Sequence, residues 1–196
     1  MRTSNVNQPA AKTFSRKARI TGAVLLSSFC LVGMTSCEDD DDDPILTSYN
    51  QQDRNFALTS SQYLNAQVDF GQLALDKGED DSVIEYGTML VSENTESSTE
   101  LQGLVADSDV EISDEISTSM QAKMDELSLL SGEDFDEAYI EFQLELLNDN
   151  ISMFENQNNN GENNNLKAFS DKTLERVKDQ REDALLVKAE IEIEDI

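Results

Sequence analysis

The sequence predicts an all-α fold: an antiparallel four-helix bundle with a short extra helix in the connection between long helices two and three. Three observations lead there. After Pro44 the chain has no proline, it lacks tryptophan throughout, and alternating strand-like runs are few. Between residues 53 and 191, apolar side chains recur every three to four positions along four long segments. That spacing gathers them on one face of a helix. Glycines and polar runs, which stop helices, separate the segments.

Residues 1–36 read as a leader. Residues 1–19 carry Arg2, Lys12, Arg16, Lys17 and Arg19, and residues 20–34, "ITGAVLLSSFCLVGM", form an apolar stretch of 15. A bilayer crossing needs about 20 such residues, whereas a signal-peptide core is shorter. The following "MTSC" (34–37) resembles the lipobox of bacterial lipoproteins, with Met34 where leucine is usual. The resemblance implies that Cys37 receives a diacylglycerol and becomes the new N-terminus after cleavage. An ordinary signal peptide and a signal anchor are the competing readings. Residues 37–52 form an acidic tether, whose charges repel one another and extend it. The fifteen residues after Cys37 reach at most roughly 50 Å.

The helices follow in order. Asp53 is expected to cap helix one, which runs to about Lys77 and stops at Gly78; Phe56, Tyr63, Phe70, Leu73 and Ala74 form its apolar side. Helix two is expected from about Asp80 to Ala106, with Val83, Tyr86, Leu90, Asn94, Ser97, Leu101 and Leu104 along its seam. A short helix follows from Ser113, placed as its cap, to Leu130. Gly132 breaks the chain before the third long helix, about Glu133 to Glu155, whose seam is Phe135, Tyr139, Phe142, Leu146, Asn150 and Met153. Ile140, Leu144, Leu147, Ile151 and Phe154 widen that stripe. "NQNNNGENNN" (156–165) is expected to be a loop. The last helix runs from about Asn165 to Ile191, through Leu166, Phe169, Thr173, Val177, Gln180, Ala184 and Val187. Faces this wide suit a bundle around one core, in a domain spanning 53–191.

Composition narrows the function. The chain has 14 basic and 41 acidic residues and no histidine. Five bases and no acid fall in residues 1–36, which leaves nine bases against 41 acids, formally −32, from Cys37 onward. Such a field repels phosphate backbones, so no nucleic-acid partner is expected. Without histidine, imidazole catalysis and histidine-ligated metals are excluded. Serines such as Ser97 and Ser98 have no histidine to activate them. There is no phosphate-binding glycine loop. "DSDVEISDEIST" (107–118) fails as an EF-hand loop, because Ile112 occupies the turn-glycine position and Thr118 the final glutamate position.

Gln67, Asn94 and Gln180 interrupt their stripes near mid-helix. A buried amide without partners costs about 1–3 kcal/mol, so each needs a hydrogen bond to another amide, to backbone or to water. One reading is a polar layer that sets helix register; the other is a ligand or metal site. "NAQVDFGQLALDKGEDDSVIEYGTMLVSENTESSTEL" (65–101), "LSGEDFDEAYIEFQLELLNDNISMFE" (130–155) and "KTLERVKDQREDA" (172–184) together resemble an uncharacterised, ferritin-like domain-of-unknown-function family of bacterial envelope proteins. The pattern Gly132, Phe135, Asp136, Tyr139 is the most specific part. The resemblance implies a glutamate at position 67 and histidines at 94, 147 and 180. This chain has Gln67, Asn94, Leu147 and Gln180 instead, and Glu93 and Glu175 where the family usually has Asp and Pro. The resemblance thus supports the fold and speaks against a transferred metal centre; no cofactor is expected.

The resulting expectation is a lipid-anchored envelope protein at the outer membrane, held through Cys37. An acidic run directly after a lipidated cysteine resembles a surface-export signal. Its helical domain is expected to be non-enzymatic, serving as a binding or structural module for a protein partner that the sequence does not identify. The alternative is a divergent ferritin-like metal or redox stress protein using carboxylates such as Asp69 and Glu93. A third reading is weak calcium binding by the acidic surface.

Overall fold

The structure, a computed structural model, describes residues 48–194, which lie within one compact unit, Asp43–Ile196. The leader, Cys37 and all but the end of the tether fall outside the described residues. The described chain is all-helical, with five helices: α1 (Gln51–Lys77), α2 (Asp81–Val105), α3 (Thr118–Ser128), α4 (Glu133–Asn160) and α5 (Asn164–Glu194).

α1 packs on α2, α4 on α5, α2 on α5 and α1 on α4, which closes a ring of four long helices around one apolar core. Short links of residues 78–80 and 161–163 make α1–α2 and α4–α5 antiparallel hairpins. Cross-hairpin contacts give the remaining directions. Phe56 meets Phe154 at 5.7 Å and Phe70 meets Phe142 at 4.7 Å, so α1 and α4 run oppositely. Lys172 pairs with Glu100 and Gln180 with Glu93, so α2 and α5 do too. The one long connection, residues 106–132, returns along the ring and carries α3, which touches α1 and α4.

The hairpins are locked by matching devices at opposite ends. Asp53, fully buried in the first turn of α1, accepts hydrogen bonds from the backbone N–H groups of Glu162 (3.2 Å) and Asn163 (3.1 Å) and from Gln157 Nε2 (2.7 Å). Asp136, in the first turn of α4, accepts from the N–H groups of Glu79 (3.1 Å) and Asp80 (2.8 Å). Each first-turn carboxylate therefore holds the link of the other hairpin. The links correspond residue for residue: Gly78-Glu79-Asp80 and Gly161-Glu162-Asn163. In each, the glycine follows the first helix and the third residue caps the second. Asp53 precedes Gly78 by the same distance as Asp136 precedes Gly161. α1 and α2 also touch backbone to backbone, since a Cβ on Gly71 would lie 2.8 Å from the Gly87 carbonyl oxygen.

Three boundaries differ from expectation. α1 begins at Gln51 because Asn50 is its cap; Asp53 is the other half of the capping box. α3 begins at Thr118, capped by Ser117. Ser113 caps nothing: its N–H donates to Ser61 Oγ and its carbonyl accepts from Asn65 Nδ2. These bonds lay the preceding segment along α1 and bury Val110. α4 continues to Asn160, through half of the expected loop, and α5 takes up its last two residues. Asparagine is a weak helix former, but Gln157 is buried on Asp53, Asn156 donates to Gln52 Oε1, and the Asn160 carbonyl accepts from Asn50 Nδ2. Contact with α1 outweighs local propensity.

Candidate functional site

Gln67, Asn94, Leu147 and Gln180 are all buried, none more than 1% exposed. The cross-helix contacts place them at one height. Between the Phe70–Phe142 and Phe56–Phe154 contacts, Gln67 falls level with the stretch from Gln143 to Leu147. The Asn65–Ser98 bond and the Gly71–Gly87 approach bring Asn94 to the level of Gln67. The Gln180–Glu93 bond of 2.9 Å adds Gln180 beside Asn94.

No hydrogen bond joins any two of the four. Gln67 Nε2 donates to the Tyr63 hydroxyl at 3.1 Å, and Asn94 Nδ2 to the Leu90 carbonyl at 2.9 Å. Gln180 reaches the rim of the ring through Glu93. Leu147 is an apolar contact and nothing else.

Sequence reasoning missed Gln143. It is fully buried, one turn before Leu147, and lies within reach of the Tyr139 hydroxyl, whose ionisation it eases, but neither of its amide atoms makes a hydrogen bond of good geometry within the protein. Phe142, assigned to the seam, is only partly buried. The phase of the α4 stripe is therefore Tyr139, Gln143, Leu147 rather than Tyr139, Phe142, Leu146, although Leu146 is buried as well. The available signal was the four-residue spacing from Tyr139 to Gln143 to Leu147.

Around these residues the core holds six buried side-chain atoms without a protein partner: Gln67 Oε1, Gln180 Oε1, both amide atoms of Gln143, and the hydroxyls of Tyr86 and Tyr139. They come from all four long helices. Left dry, each costs about 1–3 kcal/mol, and together they rival the roughly 5–15 kcal/mol that holds a whole domain folded. Burial pushes the phenols of Tyr63, Tyr86 and Tyr139 well above the ordinary tyrosine range. The charges of Tyr139 and Tyr63 each add to the shift of Tyr86.

The carboxylates of the alternative reading do not meet. Asp69 is exposed on the outer side of α1. Glu93 is half-buried and engaged: its Oε2 accepts from Gln180 and lies 3.9 Å from Arg176 Nε. Arg176 also donates to the Glu93 carbonyl and to Ser97 Oγ, and pairs with Glu96 at 3.3 Å. A guanidinium cannot take a proton, so its contact with Ser97 binds α5 to α2 without making a nucleophile. Among the described residues, no three Asp, Glu, Cys or His side chains are grouped so as to hold a metal ion. Asp80, Asp81, Glu85 and Glu190 line an open surface groove of about 440 Å³ but do not form such a group. No described helix is long and apolar enough to cross a membrane.

The family model described as Domain of unknown function (DUF4142) matches residues 44–186. The chain belongs to this family. The match takes in α1 to α4, the buried polar residues and most of α5, and it ends before the last turns of α5. No curated protein and no solved structure matches the chain.

Proposed function

We propose that this protein is a lipid-anchored envelope lipoprotein whose helical domain is a ferritin-like four-helix bundle with a non-catalytic binding or structural role. The observation that carries the reading is the chemistry of four buried positions. Gln67, Asn94, Leu147 and Gln180 stand where the resemblance implies metal ligands, and they pack as core. Amide oxygens bind transition metals weakly and leucine not at all. Two hairpins joined by one long crossover support the ferritin-like part, because that connectivity distinguishes ferritin-like bundles from simple up-and-down ones. The lipobox-like "MTSC" and the acid run after Cys37 support the anchor and its exposure. One acyl chain gives marginal membrane binding, whereas several at one cysteine hold stably.

Two measurements test the reading. Lipid labelling of the full chain, with protease treatment of intact cells, is expected to show an acylated species that is lost in Cys37→Ser. A wild-type protein released unlabelled into the medium would sink the anchor. Metal analysis of the purified chain is expected to find no stoichiometric iron, manganese or zinc, and one such metal per chain would sink the metal-free bundle.

A further inference from the structure

The unpartnered atoms in the core form a pattern. Gln67 and Gln180 lie level with the turn of α4 from Gln143 to Leu147, and Tyr139 stands one turn before Gln143 on the same face of α4. The Gly71–Gly87 approach and the Phe70–Phe142 contact bring Tyr86 of α2 to the height of Tyr139, and the two phenols are near enough to interact. At 1.5 Å per residue the column is about 12 Å long. Three amide oxygens need donors, one amide nitrogen needs acceptors, and two hydroxyls can serve as either. An anion does not satisfy a set dominated by acceptors, and the atoms belong to a core whose apolar members, among them Leu64, Phe70, Leu90 and Leu147, are fully buried. The occupant must be small and able both to donate and to accept.

We propose that the core holds a chain of internal water molecules, bound by Gln67, Gln143 and Gln180 and extended to the Tyr86 and Tyr139 hydroxyls. Water gives two donors and two acceptors, and buried waters typically make about three hydrogen bonds to otherwise unpaired groups. The chain fills the level where the resemblance implies metal ligands. The inference rests on the metal-free reading of that level and gives it an occupant. It also gives Gln143 a role: Gln143 bridges the amide layer to the phenols, and its neighbour Leu147 is the one position in the layer that offers no hydrogen bond.

The test is water-selective nuclear Overhauser spectroscopy on the full chain, with the side-chain amides assigned. Long-lived water cross-peaks to the Gln143 amide protons, and to those of Gln67 or Gln180, are expected. Gln143→Leu should abolish its own peaks and weaken those at Gln67, while the helical circular dichroism stays unchanged. Should that variant fail to fold, the wild-type spectrum alone decides. A dry core, with amide resonances showing only protein contacts, overturns the water chain and leaves the metal-free reading standing. Stoichiometric metal in the same sample overturns both. Replacing sodium chloride by choline chloride is expected to leave the Gln143 resonances in place; a saturable shift on restoring sodium would put a cation there and overturn the proposal.

Discussion

Tyr63, Tyr86 and Tyr139 each carry a hydroxyl into a core where ionisation is strongly disfavoured. The folded state holds these protons more tightly than the unfolded state, whose phenols titrate near the ordinary value of 10.0. Stability is therefore full below that pH and declines as pH rises above it. The tyrosinate absorbance of these three residues is expected to appear in one cooperative step together with loss of helical signal, and Tyr139→Phe should move the step to higher pH. Gradual ionisation of a still-folded chain would contradict this. Leu147 tests the neighbouring site from the apolar side. Leu147→Ala leaves a cavity among packed residues and is expected to cost about 2–5 kcal/mol in denaturant titration. A cost below about 1 kcal/mol would mean that the position is not tightly packed.

Helix ends carry as much of the specificity as helix faces. Asp53 closes the capping box of α1, receives two backbone N–H groups from the α4–α5 link and anchors Gln157. Asp53→Ala strands those donors in a buried place. Hydrogen bonds to a charged acceptor are worth about 1.5–3 kcal/mol each before losses are shared, so a cost of about 3 kcal/mol is expected. Hydrogen exchange should show the largest loss of protection in residues 156–163, because residues 156–160 are helical through these contacts and the N–H groups of Glu162 and Asn163 are held by Asp53 itself. Uniform loss along all helices would place the role of Asp53 elsewhere. Asp136 holds the α1–α2 link in the corresponding way, and desolvation keeps its carboxyl above the usual range.

The chain as a whole carries a formal charge of −27. Its described ion pairs sit at the surface, mainly between α2 and α5 and between α4 and α5, where each contributes little. Self-repulsion among the acids is expected to outweigh them. Raising sodium chloride from about 0.05 M to about 0.5 M shortens the Debye length to a few Å and should raise the Tm by several degrees. An unchanged or lower Tm would mean that the surface pairs dominate. Calcium at equal ionic strength is expected to act as sodium does unless the acidic groove takes it specifically.

Periodicity made the helices legible in advance. Along α5 every seam residue from Leu166 to Ile191 is buried, because charged residues hold most of the other positions, although Leu185, Leu186 and Ile193 are apolar and exposed. The amides Gln67, Asn94 and Gln180 were legible for the same reason, as breaks in otherwise apolar stripes. α4 has apolar side chains on two overlapping phases, so its own sequence does not say which one faces inward; α1 and α5, packing on either side, select Tyr139, Gln143 and Leu147. The extension of α4 through the asparagines, and the laying of residues 110–116 along α1, were equally out of reach. Local propensity opposes the first and permits a helix in place of the second, and both depend on partners 50 to 110 residues away. Burial pattern is a property of neighbouring residues and can be read along the chain. Helix phase and helix ends depend on groups that meet only once the two hairpins have closed.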